Sequence, residues 1–258
     1  MLIFENNMNT LLITAAGRAS RFHDVGYDQP KYLLPWVNKK NILTNIVEEL
    51  TFSKDIGFVL IIANYREKYF KSEIEKSIDG NFDYKLIFTK DTLGQAQTTY
   101  LGVEELCSLG FGKSPMIVHN SDTILKNRDI KALTDFKDKK VCGYVNTFQS
   151  NDKNYSYILE SDGIVQTFLE KKAVSPLASS GLVSFSSPKK FRDIYNKSQD
   201  FFESDKELYI SSLINSSIKQ GEIIFVNHSN NIEDTIVLGT PEEYCKAYTL
   251  EVTGLKDS

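Results

Sequence analysis

The residues most able to do chemistry come early. Ala15-Ala16-Gly17-Arg18-Ala19-Ser20-Arg21 follows a short apolar run, and Lys31 stands ten residues beyond Arg21. Small side chains let backbone N–H groups approach phosphate oxygens closely, and Arg21 and Lys31 supply the positive charge that a polyphosphate needs. The segment thus has the makings of a phosphate cradle. It fits neither the GxxxxGK[ST] nor the GxGxxG spacing, so two common nucleotide motifs are absent. Read in isolation it is equally an ordinary strand-to-helix loop with solvated cations.

The elements around it must hold such a loop in place. Leu11, Leu12 and Ile13 read as a buried strand running into the loop. Asn41 is placed to cap an amphipathic helix carrying Ile42, Leu43, Ile46, Val47 and Leu50. Residues 57–63 form an almost unbroken apolar strand of the kind buried on both faces. A helix over about 66–78, a strand over 84–89, a helix over about 96–107 and a strand over 115–118 follow. This βα alternation predicts an α/β fold with a Rossmann-like, mostly parallel central sheet flanked by helices and with ligands beyond the carboxyl ends of the strands.

The second half changes character. Residues 141–148, 155–160 and 164–170 read as strands, the last two joined by a hairpin at Ser161, Asp162 and Gly163. Helices are predicted near 188–197 and 206–219, then a strand at 223–226 and a helix opened by Thr240 and Pro241. The expectation is one domain over 1–258, with a nucleotide-binding half at about 9–140 and an acceptor-binding half, including the added hairpin, at about 141–250.

Composition narrows the partners. Among 258 residues, 30 Lys and Arg stand against 34 Asp and Glu, a net charge of −4, so no general basic field draws in a nucleic acid. Cys107, Cys142 and Cys245 are far apart and odd in number, which suits a reducing compartment, and the cytoplasm is the expected location. No apolar stretch is long enough to span a bilayer, and the N-terminal apolar run is too short for a signal peptide core.

ITAAGRASRF, then QPKYLLPW and KKNIL, resembles the opening of the sugar nucleotidyltransferases: roughly LAAGxGSRL, PKPLLPV and GKPIL. The likeness continues in family order. Residues 119–122 (HNSD) resemble a strand-end GD, 163–171 (GIVQTFLEK) an EK segment, 179–185 (SSGLVSF) a GLYxF, and 238–244 (LGTPEEY) a GTPEDY. It spans residues 13 to 244.

The resemblance implies Mg²⁺-dependent transfer of a nucleoside monophosphate from an NTP to a phosphorylated small-molecule acceptor, foremost a sugar 1-phosphate for capsule or other surface-glycan precursors. It places the triphosphate on Ala15, Ala16, Gly17, Arg18 and Ser20, with Arg21, Lys31 and Lys171 as the catalytic cations. Gly94 and Gln95 would frame the base, Asp122 would hold Mg²⁺, and Glu170, Lys171, Ser180 and Gly181 would receive the acceptor. Self-association is a further expectation.

Three departures stand out. Ala19 occupies a position often held by glycine, Lys172 follows Lys171 where proline is usual, and Val237 stands where many members have a second metal-binding aspartate. An isopropyl group cannot bind Mg²⁺; Glu207, Glu233 or Asp234 could replace it, or Asp122 could act with the substrates alone. Two alternatives keep their place: cytidylyl transfer to a phosphorylated non-sugar acceptor, and a nucleotide-sugar-binding regulator with weakened turnover. His119 reads first as a packed strand-end residue. Tyr155, Tyr157 and Phe168 read first as core aromatics and second as part of an acceptor pocket.

Overall fold

In the computed structural model, residues 8–78, 80, 82–199, 207–229 and 231–254 are described. Strands β1 (Asn9–Ala15), β2 (Ile56–Asn64), β3 (Asp83–Thr89) and β4 (Met116–Asn120) are mutually parallel in the order β3-β2-β1-β4. The apolar runs of β1, β2 and β4 follow from burial on both faces, whereas β3, at the sheet edge, is only partly buried. Along β1, Leu11 and Ile13 enter one core and Leu12 the other, as a two-residue side-chain period demands.

Helices seal both sides. α2 (Ile42–Thr51) buries Ile42, Leu43, Ile46, Val47 and Leu50 in the first core, and the Asn41 side chain caps it by accepting from the Thr44 N–H. α4 (Gln95–Ser108) lies on the second face with α6 (Pro188–Ser198) and α7 (Ile210–Lys219). Shorter helices α1 (Ser20–His23), α3 (Lys71–Lys76) and α5 (Ile130–Thr134), and the long α8 (Pro241–Thr253), contribute Phe22, Ile74, Ile130, Leu133 and Tyr244 to the first. The helix expected over 66–78 is divided into a 3₁₀ segment, Tyr65–Phe70, and α3.

β5 is Thr123–Leu125, and the sheet continues through β6 (Val141–Gln149), β9 (Leu177–Phe185) and β10 (Ile223–His228). The full order is β3-β2-β1-β4-β9-β6-β10-β8-β7, with β9 antiparallel to both β4 and β6. Sequence periodicity did not mark residues 177–185 as a strand, yet β9 joins the two halves of the sheet. β7 (Tyr157–Ser161) and β8 (Ile164–Leu169) form the expected hairpin; Asp162 and Gly163 both have positive φ, as a type I′ turn requires. The helix expected from 206 begins at Ile210 among the described residues; Lys206 lies outside them. Finally β11 (Thr235–Val237) pairs antiparallel with β5, setting Val237 opposite Thr123.

Candidate active site

The loop after β1 is anchored before it is charged. Ala15 and Ala16 are buried, and the Ala16 carbonyl accepts from the Asn64 side chain at 3.1 Å. Apart from its chain neighbours, no described residue lies within 4 Å of where a Cβ on Gly17 would be, so the chain there is open to a ligand. Ala19 adopts φ +49°, a conformation that costs a non-glycine residue about 1 kcal/mol. The need for a glycine-like backbone at this position therefore persists although the glycine is gone.

Lys31 opens a short 3₁₀ turn whose next residues, Tyr32, Leu33 and Leu34, are buried in the first core. That anchorage turns Lys31 toward the sheet end, where its ammonium pairs with Asp122, just past β4. Burial alone would raise the Asp122 carboxyl, but the charge and hydrogen bond of Lys31 outweigh it and hold the group below the usual carboxylate range. Arg18 lies 3.3 Å from Asp91, which also receives Arg66 at 2.6 Å and Asn64 at 3.0 Å. The Asn64 hydrogen bond first, then Arg66, lowers Asp91.

Gly94 begins α4 with φ +147°, a region that is essentially glycine's own. A Cβ there would lie 2.6 Å from the Leu208 carbonyl oxygen. The Leu208 N–H donates to the Leu93 carbonyl at 2.8 Å, and the Leu208 carbonyl accepts from Ala96 at 2.9 Å. Gln95 donates to Thr14 at 3.2 Å.

These pieces surround a cavity of about 760 Å³. Ala15, Ala16, Gly17, Arg18, Ser20, Arg21, Lys31, Gly94, Gln95, Asp122 and Lys171 all line it. Lys171 reaches it from just beyond β8, with φ +51°. A second cavity of about 580 Å³ adjoins it and is lined by Glu170, Ser180 and Gly181. Arg21, Gln95, Asn120, Asp122, Glu207, Tyr209 and Gly239 line both. Lys171, expected at the acceptor as well, lines only the first.

Within the second cavity Glu170 accepts from the Ser211 hydroxyl at 3.1 Å, and Glu207 from the Tyr209 hydroxyl at 2.6 Å. The Ser180 hydroxyl turns inward to the Asn146 side chain at 2.7 Å. Gly181 is required by crowding, since a Cβ there would overlap the Asn120 side chain. Tyr155 and Phe168 line this cavity, whereas Tyr157 is fully buried and donates to the Asp152 carbonyl at 2.7 Å, so it belongs to the core alone. His119 is likewise fully buried; its Nε2–H donates to the Thr123 carbonyl at 2.7 Å, and burial pushes the imidazole down to about 4.

The sequence reading missed several lining residues. Glu67 accepts from Tyr32 at 2.7 Å and faces the first cavity, its carboxyl raised by burial. In sequence it shows only as the third residue after Asn64, a capping-box spacing, and that box is indeed formed. Glu243 lines the second cavity and stands at the same offset from Thr240. Of the three substitutes weighed for Val237, Glu207 alone lines either cavity; Glu233 and Asp234 line neither.

The family model described as Nucleotidyl transferase matches residues 10–243. The chain belongs to that family. Among solved structures this nucleotidyltransferase is similar to a nucleoside-diphosphate-sugar pyrophosphorylase from Vibrio cholerae RC9, at 26% identity and TM-score 0.74, covering 94% of this chain and 100% of that one. Two more distant structures share the fold. A UDP-glucose pyrophosphorylase complexed with UDP-glucose has 20% identity and TM-score 0.74, covering 96% of this chain and 100% of that one. The inositol-1-phosphate CTP transferase from T. maritima has 12% identity and TM-score 0.72, covering 98% and 100%. No curated protein matches in sequence. The nucleotidyltransferase has no helix among its described residues long and apolar enough to cross a membrane.

The family's divalent metal can be tested against these residues. No group of three or more His, Cys, Asp or Glu that could hold an ion exists among the described residues. Mg²⁺ needs less, since one or two carboxylates with phosphate and water suffice. Asp122 supplies one carboxylate at the junction of the cavities, the absent side chain of Gly239 leaves space beside it, and the buried Oδ1 of Asn120, a residue lining both cavities, has no hydrogen-bond partner among the described residues. The donor set fits Mg²⁺.

Proposed function

We propose that this nucleotidyltransferase moves a nucleoside monophosphate from an NTP to a phosphorylated small molecule, foremost a sugar 1-phosphate, releasing pyrophosphate and an NDP-sugar. The observation that carries the reading is the meeting of two cavities at Asp122, with Lys31 paired to it and Arg21 in the common wall. One cavity takes the nucleotide and the other the acceptor.

An acceptor phosphate oxygen forms a bond to the α-phosphorus as the α–β bridging bond breaks and pyrophosphate leaves. Both reactants are anions, so the protein must bring them together and neutralise them; no protein nucleophile or obligatory base is needed. Arg21 and Lys31 hold the triphosphate over the small-residue loop, Lys171 holds the attacking phosphate, and Gly94 and Gln95 frame the base. Glu170 accepts from acceptor hydroxyls, and Gly181 keeps that wall close. Mg²⁺, held on Asp122, would supply added charge neutralisation at the reacting phosphates.

On this reading residues 9–140 bind nucleotide and 141–250 complete the acceptor site, consistent with a role in capsule or surface-glycan precursor supply. Incubating the chain with Mg²⁺, each common NTP and a panel of phosphorylated sugars and phosphorylated non-sugar alcohols tests it through pyrophosphate release. Release with a sugar 1-phosphate supports the reading, release only with a non-sugar phosphate corrects the acceptor, and no release with any pair defeats it.

A further inference from the structure

Val237 leaves the proposed metal site with one evident carboxylate. Its side chain lines the second cavity opposite Thr123 and offers no donor. The chain then passes close to Asp122, for the Leu238 N–H donates to the Asp122 backbone carbonyl at 2.7 Å. The next residue, Gly239, has no side chain to fill the space beyond. A Cβ placed there would stand 3.4 Å from Glu243 Oε2 and 3.6 Å from Asp122 Oδ2. Both carboxylates therefore border the gap left where glycine carries no side chain.

How Glu243 comes to that gap is a matter of helix capping. Thr240 caps α8 and its hydroxyl accepts from the Glu243 N–H at 3.2 Å, which fixes where the first turn begins. A glutamate at this offset commonly reaches back to the capping residue's own N–H. Here no such bond is made, and among the described residues the Glu243 carboxylate has neither a hydrogen bond nor an ion pair. It lines the cavity beside Tyr155, where its charge adds to burial in pushing that phenol up to about 12.

The other carboxylates are accounted for. Glu207 is engaged by the Tyr209 hydroxyl, Glu170 by Ser211, and Asp234 by Asn127 and Asn231. Like charges facing each other in a half-buried site repel unless a cation lies between them. In this structure the cation on Asp122 is the ammonium of Lys31, while Glu243 has none.

We propose that Glu243 is the second carboxylate of the Mg²⁺ site, acting from α8 in place of the side chain that Val237 cannot provide. It acts directly or through one of the waters that Mg²⁺ tends to keep. The inference rests on the metal-dependent reading above and adds a residue that the resemblance does not supply. It also gives Gly239 a role: any side chain there would enter the gap.

Mn²⁺ binding to the full chain, followed by loss of the free-ion electron paramagnetic resonance signal, reads the site without turnover. Glu243→Gln should weaken Mn²⁺ binding by about tenfold, the size of effect seen when metal-site supporting groups are removed. Asp122→Asn should weaken it further. Adding Val237→Asp to Glu243→Gln should recover most of the loss. Glu243→Gln that binds Mn²⁺ within about twofold of the parent overturns the proposal, as does a double variant no tighter than the single one. A raised acceptor KM with unchanged Mn²⁺ binding overturns it too, by assigning Glu243 to the acceptor. Pyrophosphate release by the parent chain separates the two levels: if release persists while Glu243→Gln binds Mn²⁺ normally, only this inference fails. If the parent neither binds Mn²⁺ nor releases pyrophosphate, the underlying reading fails with it.

Discussion

The two cavities share a wall and differ in charge. In the first, Arg18, Arg21, Lys31 and Lys171 offset Glu67, Asp91, Asp122 and Glu207, whereas among the described residues Arg21 is the sole lysine or arginine lining the second, against Asp122, Glu170, Glu207 and Glu243. The first suits a polyanion. The second suits the hydroxyl-bearing body of an acceptor, so on the proposed reading the acceptor's own phosphate must sit at the junction, held by Lys171 from the first-cavity side with Arg21 in the shared wall. Charge, more than shape, then sets which way round the two substrates bind.

That division of labour can be broken most decisively at Lys31. Lys31→Gln should lower the pyrophosphate release rate by about a thousandfold at saturating substrates, the upper range for removing one preorganised charge donor. A comparable fall in rate from Glu170→Gln would show that the lobes do not divide catalysis from acceptor binding as proposed.

His119 is fully buried in β4, next to Asn120, which lines both cavities. Its imidazole falls from the ordinary 6.5 to about 4 on folding, because burial disfavours the charged form. The unfolded chain therefore binds the proton more readily. The associated stability is complete above pH 6.5 and is lost as pH falls toward 4, a difference of about 3 kcal/mol. Urea unfolding at pH 7 and pH 4.5 should show the loss, and His119→Gln should flatten that part of the profile.

Gly94→Ala probes the clip between the lobes. The added Cβ would meet the Leu208 backbone in a conformation alanine avoids, so stability should drop by about 2 kcal/mol and KM should rise for both substrates. A rise confined to the NTP would show that Leu208 does not tie the lobes together. Glu170→Gln should raise acceptor KM by about tenfold and leave NTP KM unchanged, as expected for one lost charge-assisted hydrogen bond. Smallest is Arg18→Ala. Its partner Asp91 is shared with Arg66 on an open surface, so the loss in stability should stay under about 1 kcal/mol by urea titration.

The first cavity was far easier to read from sequence than the second. Residues 15–21 are consecutive on one loop after an apolar strand, so local pattern and small side chains marked them as a candidate phosphate loop, and motif resemblance favoured that over an ordinary strand-to-helix loop. The second is assembled from the end of β4, the β7–β8 hairpin, β9 and the start of α8, and apart from the aromatic residues Tyr155 and Phe168 only ordered motif resemblance pointed there. β9 escaped because Ser179, Ser180, Gly181 and Ser184 interrupt its apolar pattern, while its place is fixed by pairing with β4 and β6, which no local rule reports. Glu67 and Glu243 escaped because a glutamate in a first helical turn looks like a capping residue whatever it faces. Tyr157 was open to either reading because burial, which separates core from cavity wall, is not written in an aromatic letter.

The insertion of β9 also bears on how this chain is made. While it emerges from the ribosome, β1 to β4 can assemble from near neighbours, but the outer side of β4 stays bare until residues 177–185 arrive and close it. An uncapped strand edge invites pairing with other chains, so the nascent protein passes through an interval in which premature termination or slow translation would favour aggregates.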